Sequence, residues 1–117
     1  MKVIIAGSRN FNNYDFLQTK INELKLNITE IVCGEARGAD LLGKQYGINN
    51  NIPIKSFPAE WNKYGKSAGY IRNKEMAEYA DYLIAFWDGK SRGTNHMINI
   101  MRNLNKHGSI FIYKEED

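Results

Sequence analysis

Ile31-Val32-Cys33-Gly34-Glu35-Ala36-Arg37-Gly38-Ala39-Asp40-Leu41-Leu42 decides how the chain is read. A short apolar run stops at a glycine. A loop with an arginine beside a second glycine follows, and a helix-patterned stretch begins at Ala39. That succession is half of a βαβ unit. The same pattern recurs on both sides of it. Residues 2–6 read as a buried strand ended by Gly7, and residues 14–26 as a helix with Phe16, Leu17, Ile21 and Leu24 at helical spacing. Residues 30–33 form the second strand, and 39–49 a helix carrying Leu41, Leu42 and Tyr46. Residues 52–57 are a third strand, which Pro53 places near a sheet edge. After a loop over 58–66, residues 68–79 are helical with Ile71, Met76 and Tyr79 inward. Residues 82–87 are a strongly apolar strand. Residues 94–105 are a last helix with Met97, Ile98, Met101 and Leu104 inward, 109–113 a final strand, and 114–117 a charged tail.

Five strands alternating with four helices predict an α/β, Rossmann-like open parallel five-stranded sheet with helices on both faces. The near-continuous apolar strands agree, since a parallel sheet is covered on both sides. At 117 residues the expectation is one domain. Hydrophobic residues at 43% and charged residues at 25% are ordinary globular values. No apolar run reaches the roughly 18 residues of a membrane span. The amino terminus runs into a glycine loop too soon for a signal peptide. A cytoplasmic protein without a membrane partner is expected.

Cys33 is the single cysteine, which excludes an internal disulfide and a cysteine-built zinc site. Its position at the end of an apolar run reads as a small buried hydrophobe. Histidines and carboxylates show no metal-ligand spacing, so no protein-built metal site is expected. No cofactor is required; magnesium enters only as the companion of a phosphate ligand. The net charge of +3 and pI ≈ 9.0 are mildly basic, with no lysine run to mark a nucleic-acid stripe.

Ligands of open parallel sheets bind outside the carboxyl ends of the strands. The unusual residues collect in those connections: Gly7-Ser8-Arg9, Gly34 to Asp40, a segment holding Trp61 and Lys66, and Asp88-Gly89-Lys90-Ser91-Arg92-Gly93-Thr94. The opposite connections, such as Asn27-Ile28-Thr29 and Ala80-Asp81, are short and plain. A glycine before a helix lets backbone N–H groups approach an anion, and the helix start adds about half a unit of positive charge. An adjacent arginine adds a two-pronged clamp. Gly34…Arg37-Gly38 and Arg92-Gly93-Thr94 both have this form, though capping and tight turning account for either loop alone.

Single residues carry paired readings. Trp61 and Trp87 either stack a base or pack. Asp88 either binds a ribose hydroxyl or forms a turn with Gly89. Asp40 suits the start of the second helix electrostatically. His96 is an acid, a base, a phosphate ligand or an exposed helix residue, and His107 a turn residue. Ser8 reads as a phosphate contact. Gly65-Lys66-Ser67 ends like a P-loop, but Glu60 stands where the first glycine belongs.

Taken together, Gly7-Ser8-Arg9, Gly34-x-x-Arg37-Gly38-Ala39-Asp40, Phe57-Pro58-Ala59-x-Trp61, Gly65-Lys66-x-Ala68-Gly69, Arg72-Asn73-x-x-Met76, Ala85-Phe86-Trp87-Asp88-Gly89 and Ser91-x-Gly93-Thr94 resemble the YspA-like branch of the SLOG superfamily. That superfamily joins the Smf/DprA proteins with the LOG phosphoribohydrolases. The resemblance covers residues 2 to about 113 and implies a single SLOG-like domain, 1–117, that binds nucleotides or nucleotide-derived molecules. Members occur in bacteria and phages, many as ligand sensors in conflict systems, and they often self-associate. In related LOG enzymes a glutamate three residues after the loop threonine helps cleave a ribosyl bond. Here Met97 stands at that place, while Arg72 matches the catalytic arginine. A thioether can neither transfer a proton nor stabilise an oxocarbenium ion.

The sequence therefore supports a binding protein more than an enzyme. Its expected ligand contacts are Gly7, Ser8, Arg9, Gly34, Arg37, Gly38, Asp40, Trp61, Lys66, Arg72, Asn73, Asp88, Ser91, Arg92, Gly93 and Thr94, with Arg37 and Arg92 both clamping charged oxygens. No catalytic residue is assigned. An N-ribosyl hydrolase is the alternative, with Glu35, Glu60, Glu75 or Asp88 replacing the glutamate. DNA binding is the second alternative, and nucleic acid the least favoured partner. A homo-oligomer is expected.

Overall fold

The computed structural model describes residues 1–114; residues 115–117 of the expected charged tail lie outside the described residues. Five parallel strands run β1 (Lys2–Gly7), β2 (Glu30–Cys33), β3 (Ile54–Ser56), β4 (Tyr82–Trp87) and β5 (His107–Ile112). Their spatial order is β3-β2-β1-β4-β5. The chain builds outward from β1 to β3, then returns to the other side of β1 for β4 and β5. The order reverses between β1 and β4, whose register pairs Val3 with Tyr82 and Gly7 with Phe86.

Alternation along the central strands separates two cores. Ile4 and Ala6 of β1, with Leu83 and Ala85 of β4, pack under α4 (Ala68–Tyr79) and α5 (Arg92–Asn103) through Met76, Ala77, Met97 and Met101. Val3, Ile5, Ile84 and Phe86 face α1 (Tyr14–Leu24) and α2 (Ala39–Asn49) through Leu17, Ile21 and Tyr46. Helices thus cover both faces, as the apolar strands require.

Element ends differ from expectation for local reasons. The first helix stops at Leu24 because Lys25 adopts the left-handed conformation. β3 is shortened to three residues, and Pro53 contributes only its carbonyl, accepting from the Ile31 amide at 2.9 Å. The 58–66 loop contains a short helix, α3 (Trp61–Tyr64), followed by a 3-10 turn at Gly65–Ser67. The last helix begins at Arg92, and Leu104, just past its end, is exposed rather than inward; Leu41 is exposed too. His107 opens β5 opposite Tyr82 instead of lying in a turn. No helix among the described residues is long and apolar enough to cross a membrane.

Candidate functional site

Ser8 ties three strand-end loops together. It is buried; its amide donates to the Phe86 carbonyl at 2.9 Å, and its carbonyl accepts from Phe11 and Ala39. Its hydroxyl accepts from the Asp88 amide at 3.0 Å. Gly38 makes this closeness feasible. Its φ is +83°, and a Cβ there would collide with the Ser8 carbonyl oxygen.

Asp88 organises the loop before α5. Its carboxylate accepts from the Lys90 amide at 2.9 Å and the Ser91 amide at 2.8 Å. Burial works against its ionisation, but those two amides and the Ser8 hydroxyl outweigh it and hold the carboxyl below its ordinary range. Trp87 is half-buried and props the same loop, its indole N–H donating to the Ser91 carbonyl at 3.1 Å.

Arg72 reaches across from α4. Its guanidinium donates to the Gly34 carbonyl and, at 3.0 Å, to Asn73 Oδ1. Gly34 leaves room for this approach, since a Cβ would lie 2.8 Å from Asp40 Oδ2 and 2.9 Å from Arg72 Nη1 and push those side-chain ends aside. Buried Asn73 links α4 to the start of α5, donating to the Gly93 carbonyl at 3.3 Å and lying 3.2 Å from His96 Nδ1. His96 is half-buried, which pushes its pKa down.

Asp40 is the buried carboxylate of this group. Desolvation pushes its pKa up to about 6, against the pull of the Arg72 charge and the amides of Ala36 and Gly7. Glu35 differs. Its Ser56 hydrogen bond (2.5 Å) and its pairing with Lys44 (3.0 Å) hold it below the ordinary range. Cys33 is buried, and desolvation pushes its thiol up to about 11, an inert setting.

Two adjoining hollows result. The first, about 330 Å³, lies at the carboxyl end of β1 where the strand order reverses. Gly7, Arg9, Asp40, Arg72, Asn73, Ser91, Gly93 and Thr94 line it, and Met97 stands in its wall. Neither Gly38 before α2 nor Ser91 before α5 makes a side-chain capping bond. The second hollow, about 390 Å³, is lined by Gly34, Arg37 and the exposed Trp61, and shares Arg9 and Arg72 with the first. Of the remaining sequence-predicted residues, Ser8, Gly38 and Asp88 shape the loops around the hollows, while Lys66 and Arg92 are exposed and line neither hollow. Sequence reasoning missed two features: the raised pKa of Asp40, which carries no signal in the sequence, and Asn73 as a strut between α4 and α5. Only the polar pair Arg72-Asn73 on a helix hints at the second.

A sequence profile described as the YspA, cpYpsA-related SLOG family (YAcAr) matches residues 1–64. This chain belongs to that family. A relative of similar length is the Gene 61 protein of Mycobacterium phage D29, 33% identical over 92% of this chain and 90% of the phage protein. Among solved structures, DNA processing protein A (DprA) from Streptococcus pneumoniae superposes with a TM-score of 0.80 at 18% identity, over 99% of this chain and 52% of DprA. The SLOG chain therefore spans about half of that solved protein, and the likeness establishes a shared Rossmann-like fold.

Proposed function

We propose that this SLOG protein binds a nucleotide or nucleotide-derived ligand at the carboxyl edge of its sheet, as a sensor or sequestering protein in phage–host conflict. One observation carries the reading. Arg9, Arg72 and the uncapped start of α5 line a single 330 Å³ hollow at the reversal of strand order. Helix-start amides and arginine forks are the groups that hold phosphate oxygens. A phage relative of matching length supports the conflict setting. The reading needs no cofactor and no general acid, which agrees with Met97 in the wall. It describes a cytoplasmic protein, and the exposed Ile110 and Ile112 on edge strand β5 support self-association.

Hydrolysis is the second reading, and Asp40 favours it: a carboxyl with a pKa near 6 in the same hollow as Arg72 suits general acid–base work. A DNA-binding reading has only the fold shared with a DNA-processing protein behind it. One experiment separates the first two. The protein is incubated with nucleotides, denatured, and the released small molecules are chromatographed. Intact ligand in stoichiometric amount is the expected result; free base with ribose phosphate overturns the binding-only reading, and nucleotide neither retained nor cleaved overturns both.

A further inference from the structure

The two hollows meet along a shared wall of Arg9, Ala36 and Arg72. We propose that they form one bipartite site for a pyrophosphate-linked nucleotide, a nucleoside diphosphate whose far phosphate carries a second sugar. This rests on the nucleotide-binding reading and narrows it.

Charge is the first argument. Among the described residues, Arg9 and Arg37 have no hydrogen-bonded or ion-paired partner. Glu35, the carboxylate of the second hollow, is already matched by Lys44 and Ser56. Asp40 is held by the charge of Arg72 and repelled by that of Glu35. Positive charge is thus in excess along the shared wall, which favours two adjacent anionic groups over one.

Size is the second argument. At about 330 and 390 Å³, each hollow already reaches the lower end of the ~300–1,000 Å³ range of small-molecule sites. A nucleoside monophosphate would leave one of them vacant. The ends also differ in chemistry. Trp61, 53% exposed, offers an indole face to a base in the second hollow. Asp40 offers a carboxylate to sugar hydroxyls in the first. The phosphates then fall between, at Arg9 and Arg72.

Calorimetry on the full chain tests this with ADP-ribose, GDP-mannose, UDP-glucose and CDP-glucose beside AMP, GMP, UMP, CMP and ribose 5-phosphate. At least one sugar-linked diphosphate should bind about tenfold or more tighter than its own monophosphate and than ribose 5-phosphate, the worth of one added charge-assisted contact. Trp61→Ala should weaken the diphosphate-sugar and its nucleoside monophosphate alike and leave ribose 5-phosphate unchanged. Equal affinity for diphosphate-sugars and monophosphates, or a Trp61→Ala loss shared equally by ribose 5-phosphate, overturns the bipartite site and leaves nucleotide binding standing. No binding of any nucleotide overturns both.

Discussion

The amide of Asp88 donates to the hydroxyl of Ser8 at 3.0 Å across 80 positions of sequence, joining the loops that follow the two central strands. Ser8 is 1% exposed, so Ser8→Ala leaves the half-buried Asp88 N–H without its partner. The expected loss is about 1–3 kcal/mol of stability, read from the midpoint of urea unfolding. An unchanged midpoint would show that the loops are held by other means.

Glycines 34 and 38 should fail in different ways. Gly38→Ala forces a side chain into a left-handed backbone and onto the Ser8 carbonyl, and should cost at least ~2 kcal/mol in urea unfolding. Gly34→Ala meets mobile side-chain ends, Asp40 Oδ2 and the Arg72 guanidinium. Its larger effect should fall on nucleotide affinity rather than on the unfolding midpoint.

Arginines 72 and 92 should also separate. Arg72 lines both hollows, whereas Arg92 is exposed and lines neither. Arg72→Lys keeps the charge but loses the fork, and should weaken nucleotide binding by about 1–3 kcal/mol. Arg92→Ala should change it by no more than about 0.5 kcal/mol. Isothermal titration measures both; equal losses would show that the ligand extends out of the hollows to the exposed Arg92.

Asp40 predicts a pH dependence with a definite sign. Its pKa is raised from 3.8 to about 6 in the fold, so between those values the native state holds more proton than the unfolded chain. Its contribution to stability is therefore full below pH ~4 and is lost as pH rises through about 6, by at most about 3 kcal/mol. Asp40→Asn should flatten that window in unfolding titrations. Protonating Asp40 also frees the Arg72 charge. Affinity for a phosphodiester, which does not itself titrate here, should rise as pH falls through 6 in the native protein and stay level in Asp40→Asn.

The exposed β5 edge makes a further expectation measurable. Ile112 is 67% exposed and Ile110 40% exposed on β5, the edge strand of the sheet. Ile112→Lys should shift the protein toward the monomer in size-exclusion chromatography with light scattering. An assembly of unchanged mass would move the interface elsewhere.

The parallel sheet was legible because burial on both faces leaves a strong local mark: unbroken apolar runs such as Val3 to Ala6 and Leu83 to Phe86. The glycine-bearing loops marked the carboxyl edge for a similarly local reason, a backbone that must turn sharply before a helix. Helix ends were less legible. Nothing in the sequence announces that Lys25 turns left-handed or that Leu104 falls outside the core.

Within the candidate site, residue type alone pointed to Arg9, Gly93 and Thr94, because anion-binding chemistry is written in side chains and glycines, while Arg72 came from the family resemblance. It could not sort cavity residues from braces. Ser8, Gly38 and Asp88 hold the loops together, and Arg92 lines neither hollow. Asp40 acquires its raised pKa only when packing buries it, against the lowering pull of Arg72 brought over from α4. Desolvation and through-space charge depend on distances between segments far apart in the chain, and those distances exist only once the helices have packed on the sheet.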